Sequence, residues 1–160
     1  MKLAIVSDSH HAVDELDKLL SYLQKNGIKH LAHAGDFMTT KVVSVFEKYP
    51  EIQVYISRGN MDFLGNVFKE MRALSHVEID DVVFFELEEI QFAISHVQGM
   101  AQSSAAGKII DIFIHGHTHQ PKIEKTETGM IINPGSLMDG AGFMLMDLPS
   151  LEVDRKFNFN

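Results

Sequence analysis

Five short blocks of this chain carry side chains able to bind and react: Asp8-Ser9-His10, Gly35-Asp36, Gly59-Asn60-Met61-Asp62, His96 and Gly116-His117-Thr118-His119. They offer carboxylates, imidazoles and one carboxamide, the donors that hard and borderline divalent cations take. In the stretch IHGHTHQP, residues 114–121, the histidines 115, 117 and 119 alternate. Taken singly, each block has a plain structural explanation. His10 or His96 alone fits a hydrogen-bonded scaffold histidine, and Asp36 after a glycine fits a turn or helix cap. Asn60 after Gly59 is a common turn residue. The set stands out because each block follows a segment that reads as a strand. There is no cysteine, so thiolate ligands, a thiol nucleophile and disulfides are excluded.

The elements that must position these residues follow from hydrophobic pattern. KLAIVSD is a continuous apolar run rich in β-branched residues, as a strand buried on both faces should be. Val13, Leu16, Leu20 and Leu23 recur at helical spacing, and Asn26-Gly27 supplies a stop. KHLAHAGD predicts a second strand, TTKVVSVFEKY a helix capped by Thr39 or Thr40, and IQVYISRGN a third strand. This β-α-β-α-β opening implies parallel strands with right-handed crossovers. VVFFEL and IQFAISH flank Glu88-Glu89 and predict an antiparallel hairpin, although that turn lacks glycine. A short helix is expected within 100–110, then a strand at DIFIHG and a hairpin in KIEKTETGMIIN turning near Thr128-Gly129. Two strands, GFMLMDL and EVDRKFNF, flank Pro149-Ser150. The expectation is one α/β domain over residues 1–160, built as two packed mixed β-sheets with helices on both outer sides, a four-layer α/β/β/α sandwich. Open parallel sheets bind ligands beyond the carboxyl ends of their strands, which is where every block falls.

Composition bounds the function. The chain has 160 residues, 45% hydrophobic and 22% charged, with a formal net charge of −8. Phosphate-backbone affinity needs clustered lysine and arginine, so an extended nucleic-acid surface is not expected. A small phosphorylated substrate is compatible with the acidity, because bound cations reverse the field locally. No stretch reads as a signal peptide or a membrane span, and a cytoplasmic protein is the expectation.

In this order, D-S-H, G-D, G-N-x-D, a single H and G-H-T-H resemble the signature of the calcineurin-like metallophosphoesterases, in particular their small bacterial and archaeal phosphodiesterases. The NPGS run at 133–136 also resembles a loop of that branch. The resemblance implies two divalent ions, manganese by default with iron, nickel, cobalt or zinc as alternatives. Asp8, His10 and His119 resemble ligands of the first ion and Asn60, His96 and His117 ligands of the second, with Asp36 shared by both. It further implies hydrolysis of a P–O bond by in-line attack of a hydroxide bridging the ions, with Asp36, Asn60 and His96 acting through it. Two ions against two carboxylates and a hydroxide leave a net positive centre that would draw a phosphate. Asp62 is expected to support the site from outside by orienting an imidazole, or else to cap a helix. His11, His33 and His115 have no counterpart among the ligands.

Two departures from the family pattern bear on chemistry. Much of the wider family places a histidine after the ligand asparagine, near the leaving group, whereas this chain has Met61, which has no proton to give. General acid catalysis is typically worth ~10²–10⁴-fold, so activated aryl phosphodiesters are expected to outperform alkyl monoesters. In SHVQGMAQ, Val97 and Gln98 separate His96 from Gly99, which alters the loop that meets substrate. Arg58 either touches a substrate phosphate or packs and pairs near the sheet edge. The main rival function is a phosphomonoesterase or nucleotide phosphatase. A second rival is an interaction scaffold, since one eukaryotic retromer subunit resembles this fold with a degraded site. A metallo-β-lactamase-type reading of H-x-H-x-H fails, because Gln120-Pro121 follows where that motif needs aspartate and histidine. A homodimer through Phe63-Leu64, Val67-Phe68 or the C-terminal strands is an expectation; packing within the chain is the alternative for these residues.

Overall fold

In the computed structural model, which describes residues 1–62, 66–157 and 159, alternation along the first strand sets up the layers. Strand β1 (Lys2–Val6) sends Leu3 and Ile5 to one side and Ala4 and Val6 to the other, and all four are fully buried. Ala4 and Val6 join a cluster with Leu16, Leu19, Leu20 and Leu23 of helix α1 (Val13–Lys25) and with Phe46 of α2 (Val42–Glu47). Leu3 and Ile5 instead join a cluster with residues of a second sheet, among them Phe92, Ile94, Ile112 and Ile132. A strand buried on both faces needs no polar face, which is why LAIV, after the exposed Lys2, is apolar throughout.

The first sheet has six strands in the order β11-β10-β1-β2-β3-β4. Strands β1, β2 (His30–His33), β3 (Gln53–Ser57) and β4 (Val77–Asp80) run parallel, while β10 (Phe143–Asp147) and β11 (Glu152–Lys156) extend it antiparallel. The second sheet has the order β5-β6-β7-β9-β8. Here β5 (Val82–Leu87) and β6 (Ile90–Ser95) form an antiparallel hairpin. Strands β6, β7 (Ile112–Ile114) and β9 (Met130–Asn133) are parallel, and β8 (Lys122–Lys125) is antiparallel to β9. Both sheets are therefore mixed, as expected, and their inner faces share one core. Tyr55 of the first sheet stacks on Phe85 of the second at 3.8 Å between ring centroids, and Phe85 stacks on Phe92 at 4.8 Å.

Helices α1, α2 and α3 (Val67–Arg72) cover the outer face of the first sheet. The outer face of the second is covered by α4 (Met100–Ser104), where Ala101 and Ala105 pack with Ala93 and Ile110. Three details differ from the sequence expectation. Helix α2 is shorter than its pattern, and strand β4 and helix α3 were not foreseen. Strand β4 is the edge strand VEID, with only Val77 and Ile79 turned inward. The β5–β6 hairpin closes through Glu88 and Glu89 with φ of 50° and 64°. A two-residue hairpin loop requires left-handed residues, and this one takes them without glycine. Among the described residues no helix is long and apolar enough to cross a membrane.

Phe63 and Leu64 lie outside the described residues. Val67 is buried in the core, and Phe68 packs beneath the guanidinium groups of Arg58 and Arg72. Those two residues follow the packing alternative within the chain.

Candidate metal centre

The strand exits are stitched together by backbone before any side chain acts. Asp8 N–H donates to Gly35 C=O at 2.9 Å and His10 N–H to Asp36 C=O at 2.8 Å, tying the β1 exit to the β2 exit. Gly116 N–H donates to His96 C=O at 3.0 Å, tying β7 to β6. At Gly59 a Cβ would run into Asp36, and at Gly116 into Ser7 and Asp8. Glycine is required at both places because two chains pass closer than any side chain allows.

Five of the seven candidate donors sit on left-handed backbone: Asp8 (φ 50°), His10 (44°), Asp36 (57°), His117 (67°) and His119 (57°). Such conformations cost non-glycine residues about 1–3 kcal/mol each and cluster where function demands a particular side-chain direction. Here Asp8, His10 and His119 converge with one another and Asp36 converges with Asp8 and His96, whereas His117 faces Asn60. The floor is buried: Asp8, His10, Asp36 and His96 are each at most 8% exposed. Asn60 and His117 are exposed and His119 half-buried, so the site opens to solvent on that side.

The donor atoms fall into close pairs. His10 Nε2 lies 3.2 Å from His119 Nε2, and His119 Nε2 lies 3.3 Å from Asp8 Oδ1. His96 Nε2 lies 3.3 Å from Asp36 Oδ2, and His117 Nδ1 lies 3.0 Å from Asn60 Oδ1. Two ligands bound to one first-row ion at about 2.1 Å stand roughly 3 Å apart, so these spacings, which hydrogen bonds also give, leave the donors close enough to share a cation. Asp8, His10 and His119 form one group with metal-holding geometry, and Asp8, Asp36 and His96 a second. Asp8 Oδ1 and His96 Nε2 are buried without a hydrogen-bond partner, although buried polar atoms are rarely left so. An orphaned carboxylate oxygen and an orphaned imidazole nitrogen, each aimed into a cluster of oxygen and nitrogen donors, are what divalent cations would satisfy. The residues present fit such ions.

Comparison with known proteins agrees. A family model for the calcineurin-like phosphoesterase superfamily domain matches residues 1–149. The chain belongs to the calcineurin-like phosphoesterase superfamily. A phosphodiesterase of Methanocaldococcus jannaschii is 28% identical to this chain over 139 residues, which is 84% of this chain and 83% of the relative. The solved structure of an archaeal phosphodiesterase superposes with a TM-score of 0.82 at 23% identity, covering 99% of this chain and all of the other. A phosphoesterase from E. coli gives 0.70 at 21% identity with both chains fully covered. Vacuolar protein sorting 29 from Cryptosporidium parvum gives 0.67 at 17%, covering 98% of this chain and 96% of that one. These three structures share the fold.

Around the donors, the chain has a layer of supports. His96 Nδ1 donates to Ala34 C=O at 2.7 Å, which leaves Nε2 as the atom facing Asp36. His119 Nδ1 is bound by Asp139 Oδ2 at 2.6 Å, which turns its Nε2 inward in the same way. Asp8 Oδ2 accepts from Ser7 Oγ at 2.6 Å and from His117 N–H at 3.1 Å, freeing Oδ1 for the cluster. The NPGS run supplies two further ties. Ser136 Oγ donates to Asp8 C=O at 3.0 Å, and Asn133 Nδ2 donates to Gly116 C=O at 2.8 Å and Thr118 Oγ1 at 3.0 Å. Ser7, Asn133, Ser136 and Asp139 were not singled out from the sequence as site residues. For Ser136 and Asn133 the NPGS run was the available signal; Asp139 is an ordinary loop aspartate with none.

Asp62 supports the site through backbone amides. Its buried carboxylate accepts from the N–H groups of Asp36, Phe37, Met38 and Gly59 at 2.8–3.0 Å. It thereby clamps the β2 exit against the β3 exit. Met61 N–H donates to Asp36 Oδ1 at 2.8 Å, while the Met61 side chain is exposed. The histidines outside the ligand set are placed apart. His33 is fully buried and bridges Ser9 Oγ and the Gly35 N–H, His115 is buried against Gly116 C=O, and His11 is exposed. Arg58 pairs with Asp81 at 2.5 Å and covers the Phe68 ring.

The charges favour an ionised centre. Burial works to raise the Asp36 pKa, but His96 and the Met61 N–H outweigh it and hold the carboxyl below its usual range. Burial works to lower the His96 pKa, and its contacts with Asp36 and Ala34 C=O raise it overall. Without a cation the pair is therefore biased toward carboxylate and imidazolium, and a cation binding there would have to displace the His96 proton.

Proposed function

We propose that residues 1–160 form one metallophosphoesterase domain that hydrolyses phosphodiesters with two divalent cations, manganese by default. The observation that carries the reading is the pair of orphaned buried atoms, Asp8 Oδ1 and His96 Nε2, each aimed into a cluster of further donors. Asp8, His10 and His119 would hold one ion and Asn60, His96 and His117 the other, with Asp36 shared. Such ions would supply Lewis acidity toward a phosphate oxygen and would lower the pKa of a bound water toward neutrality.

The chain's residues do the rest. Asp8 and Asp36 bring two negative charges against the four positive charges of the ions, so the centre attracts a phosphate despite the chain's overall charge of −8. Asn60 donates a neutral amide oxygen and keeps that balance positive. The fixed imidazoles orient the charge at no reorganisation cost during reaction. Met61 follows Asn60 and offers no proton, so a leaving group must depart as a stable anion or take its proton from solvent through the open side. This favours aryl phosphodiesters over alkyl monoesters.

The test is direct. Protein stripped by a chelator and reloaded with manganese should hydrolyse bis-4-nitrophenyl phosphate faster than 4-nitrophenyl phosphate, and iron, nickel, cobalt and zinc should be compared in the same assay. A preference for the monoester would assign a phosphomonoesterase instead, and failure to bind any of these ions would remove the enzymatic reading.

A further inference from the structure

The loop after β6 places Val97 and Gln98 between His96 and Gly99. Gly99, with φ of 93°, turns the chain into α4 and leaves Met100 44% exposed. Between this loop and the β3 exit lies a cavity of about 170 Å³, walled by Arg58, Asn60, Asp81, His96, Val97 and Met100. One end is thus the candidate centre itself, through Asn60 and His96. At the other, Arg58 is held by Asp81 and the Phe68 ring. What remains between them is the alkyl surface of Val97 and the thioether of Met100.

Size and lining limit what fits. An apolar cavity of ~150 Å³ accommodates benzene, whereas pockets for drug-sized ligands start at roughly 300 Å³. Methionine moulds to its neighbour and makes favourable sulfur–aromatic contacts at the ring edge. We infer that this cavity receives one ester group of the substrate, a single planar ring attached to the phosphorus, with Val97 and Met100 determining that specificity. The inference rests on the phosphodiesterase reading, since a phosphate seated at Asn60 and His96 brings its ester group against the adjacent wall.

Phenylphosphonate and methylphosphonate test it, because they share an anionic head and differ by the ring. Calorimetric titration of the manganese-loaded protein should show phenylphosphonate binding at least about tenfold tighter, within the range that apolar pocket contacts provide. Val97→Phe, which fills the cavity, should bring that ratio to about one while methylphosphonate affinity stays within about twofold. Met100 is largely exposed, so Met100→Ala is the variant less able to disturb folding, and it should lower the ratio about threefold. In protein labelled at the methionine methyl carbons, phenylphosphonate should shift the Met100 resonance and methylphosphonate should not. A ratio near one in the unmodified protein, or one unchanged by Val97→Phe, overturns the inference. Failure of the underlying reading shows separately, as absence of bis-4-nitrophenyl phosphate hydrolysis by the same preparation.

Discussion

Asp139 reaches back twenty residues to hold His119 Nδ1 at 2.6 Å, and that bond decides which imidazole nitrogen faces Asp8. Removing such a partner typically costs 10–100-fold in metal affinity. Asp139→Ala should therefore weaken manganese binding by about that factor, read by calorimetry, while thermal stability of the metal-free protein changes little because Asp139 is exposed. Unchanged affinity would show that His119 is oriented by something else. Met61 makes the opposite kind of prediction, a gain. Its exposed side chain follows Asn60, and histidine there would bring a proton donor toward the leaving group. Met61→His should raise kcat/KM on poorly activated esters more than on 4-nitrophenyl esters, by up to ~10²-fold. A leaving-group series with the same slope in both proteins would count against a missing general acid.

At the scale of elements, the site depends on loops passing within contact of one another. Gly59→Ala would force the β3 exit away from Asp36, whose Oδ1 and backbone N–H occupy the space a Cβ needs. Overpacking of this kind costs about 1–3 kcal/mol. The urea midpoint should fall accordingly, and manganese affinity should fall with it; normal affinity would mean the loops separate without moving Asp36. The same contrast explains what could be read beforehand. Long apolar strands such as KLAIV and the helix of Leu16, Leu20 and Leu23 announce themselves by period, and the donors at their ends were legible with them. Strand β4 was not, because VEID is short, half acidic and held at an edge by pairing with β3. Helix α2 stops earlier than its pattern because tertiary packing, not propensity, sets so short a length. Asp62 was expected to orient an imidazole or cap a helix; its four contacts are instead backbone amides from residue 36 to residue 59, a relation no local pattern encodes. Asp139 and Ser136 acquire meaning only once the β9–β10 loop is seen over the β1 exit.

At the scale of the whole molecule, the candidate ligands come from both sheets: Asp8, His10, Asp36 and Asn60 from exits of the first, and His96, His117 and His119 from exits of the second. Bound ions would cross-link the two layers. At a free ion concentration 100 times Kd, linkage adds about 2.7 kcal/mol per site. Calorimetric melting should accordingly show a midpoint several degrees higher with manganese than with chelator, and equal midpoints would argue against ions spanning the sheets. The metal-free protein should also be acid-sensitive through His33. Burial pushes the His33 pKa down to about 4, against about 6.5 when unfolded. Between those values the unfolded chain binds the proton and the folded one does not, so stability is intact above pH 6.5 and is lost progressively down to pH 4. The loss amounts to about 3 kcal/mol. Urea titrations at pH 7 and pH 4.5 should show this drop in the unmodified chain and a smaller one in His33→Gln; equal drops would place the sensitivity elsewhere.

Five donors on left-handed backbone carry a cost that the sheets do not need in order to pack. Glycine or asparagine at positions 10, 117 or 119 would relieve that tension and spare the core. A lineage released from any demand for turnover would therefore shed its chemistry first and its architecture last. Disuse in this fold leads toward sturdy, silent descendants rather than unfolded ones.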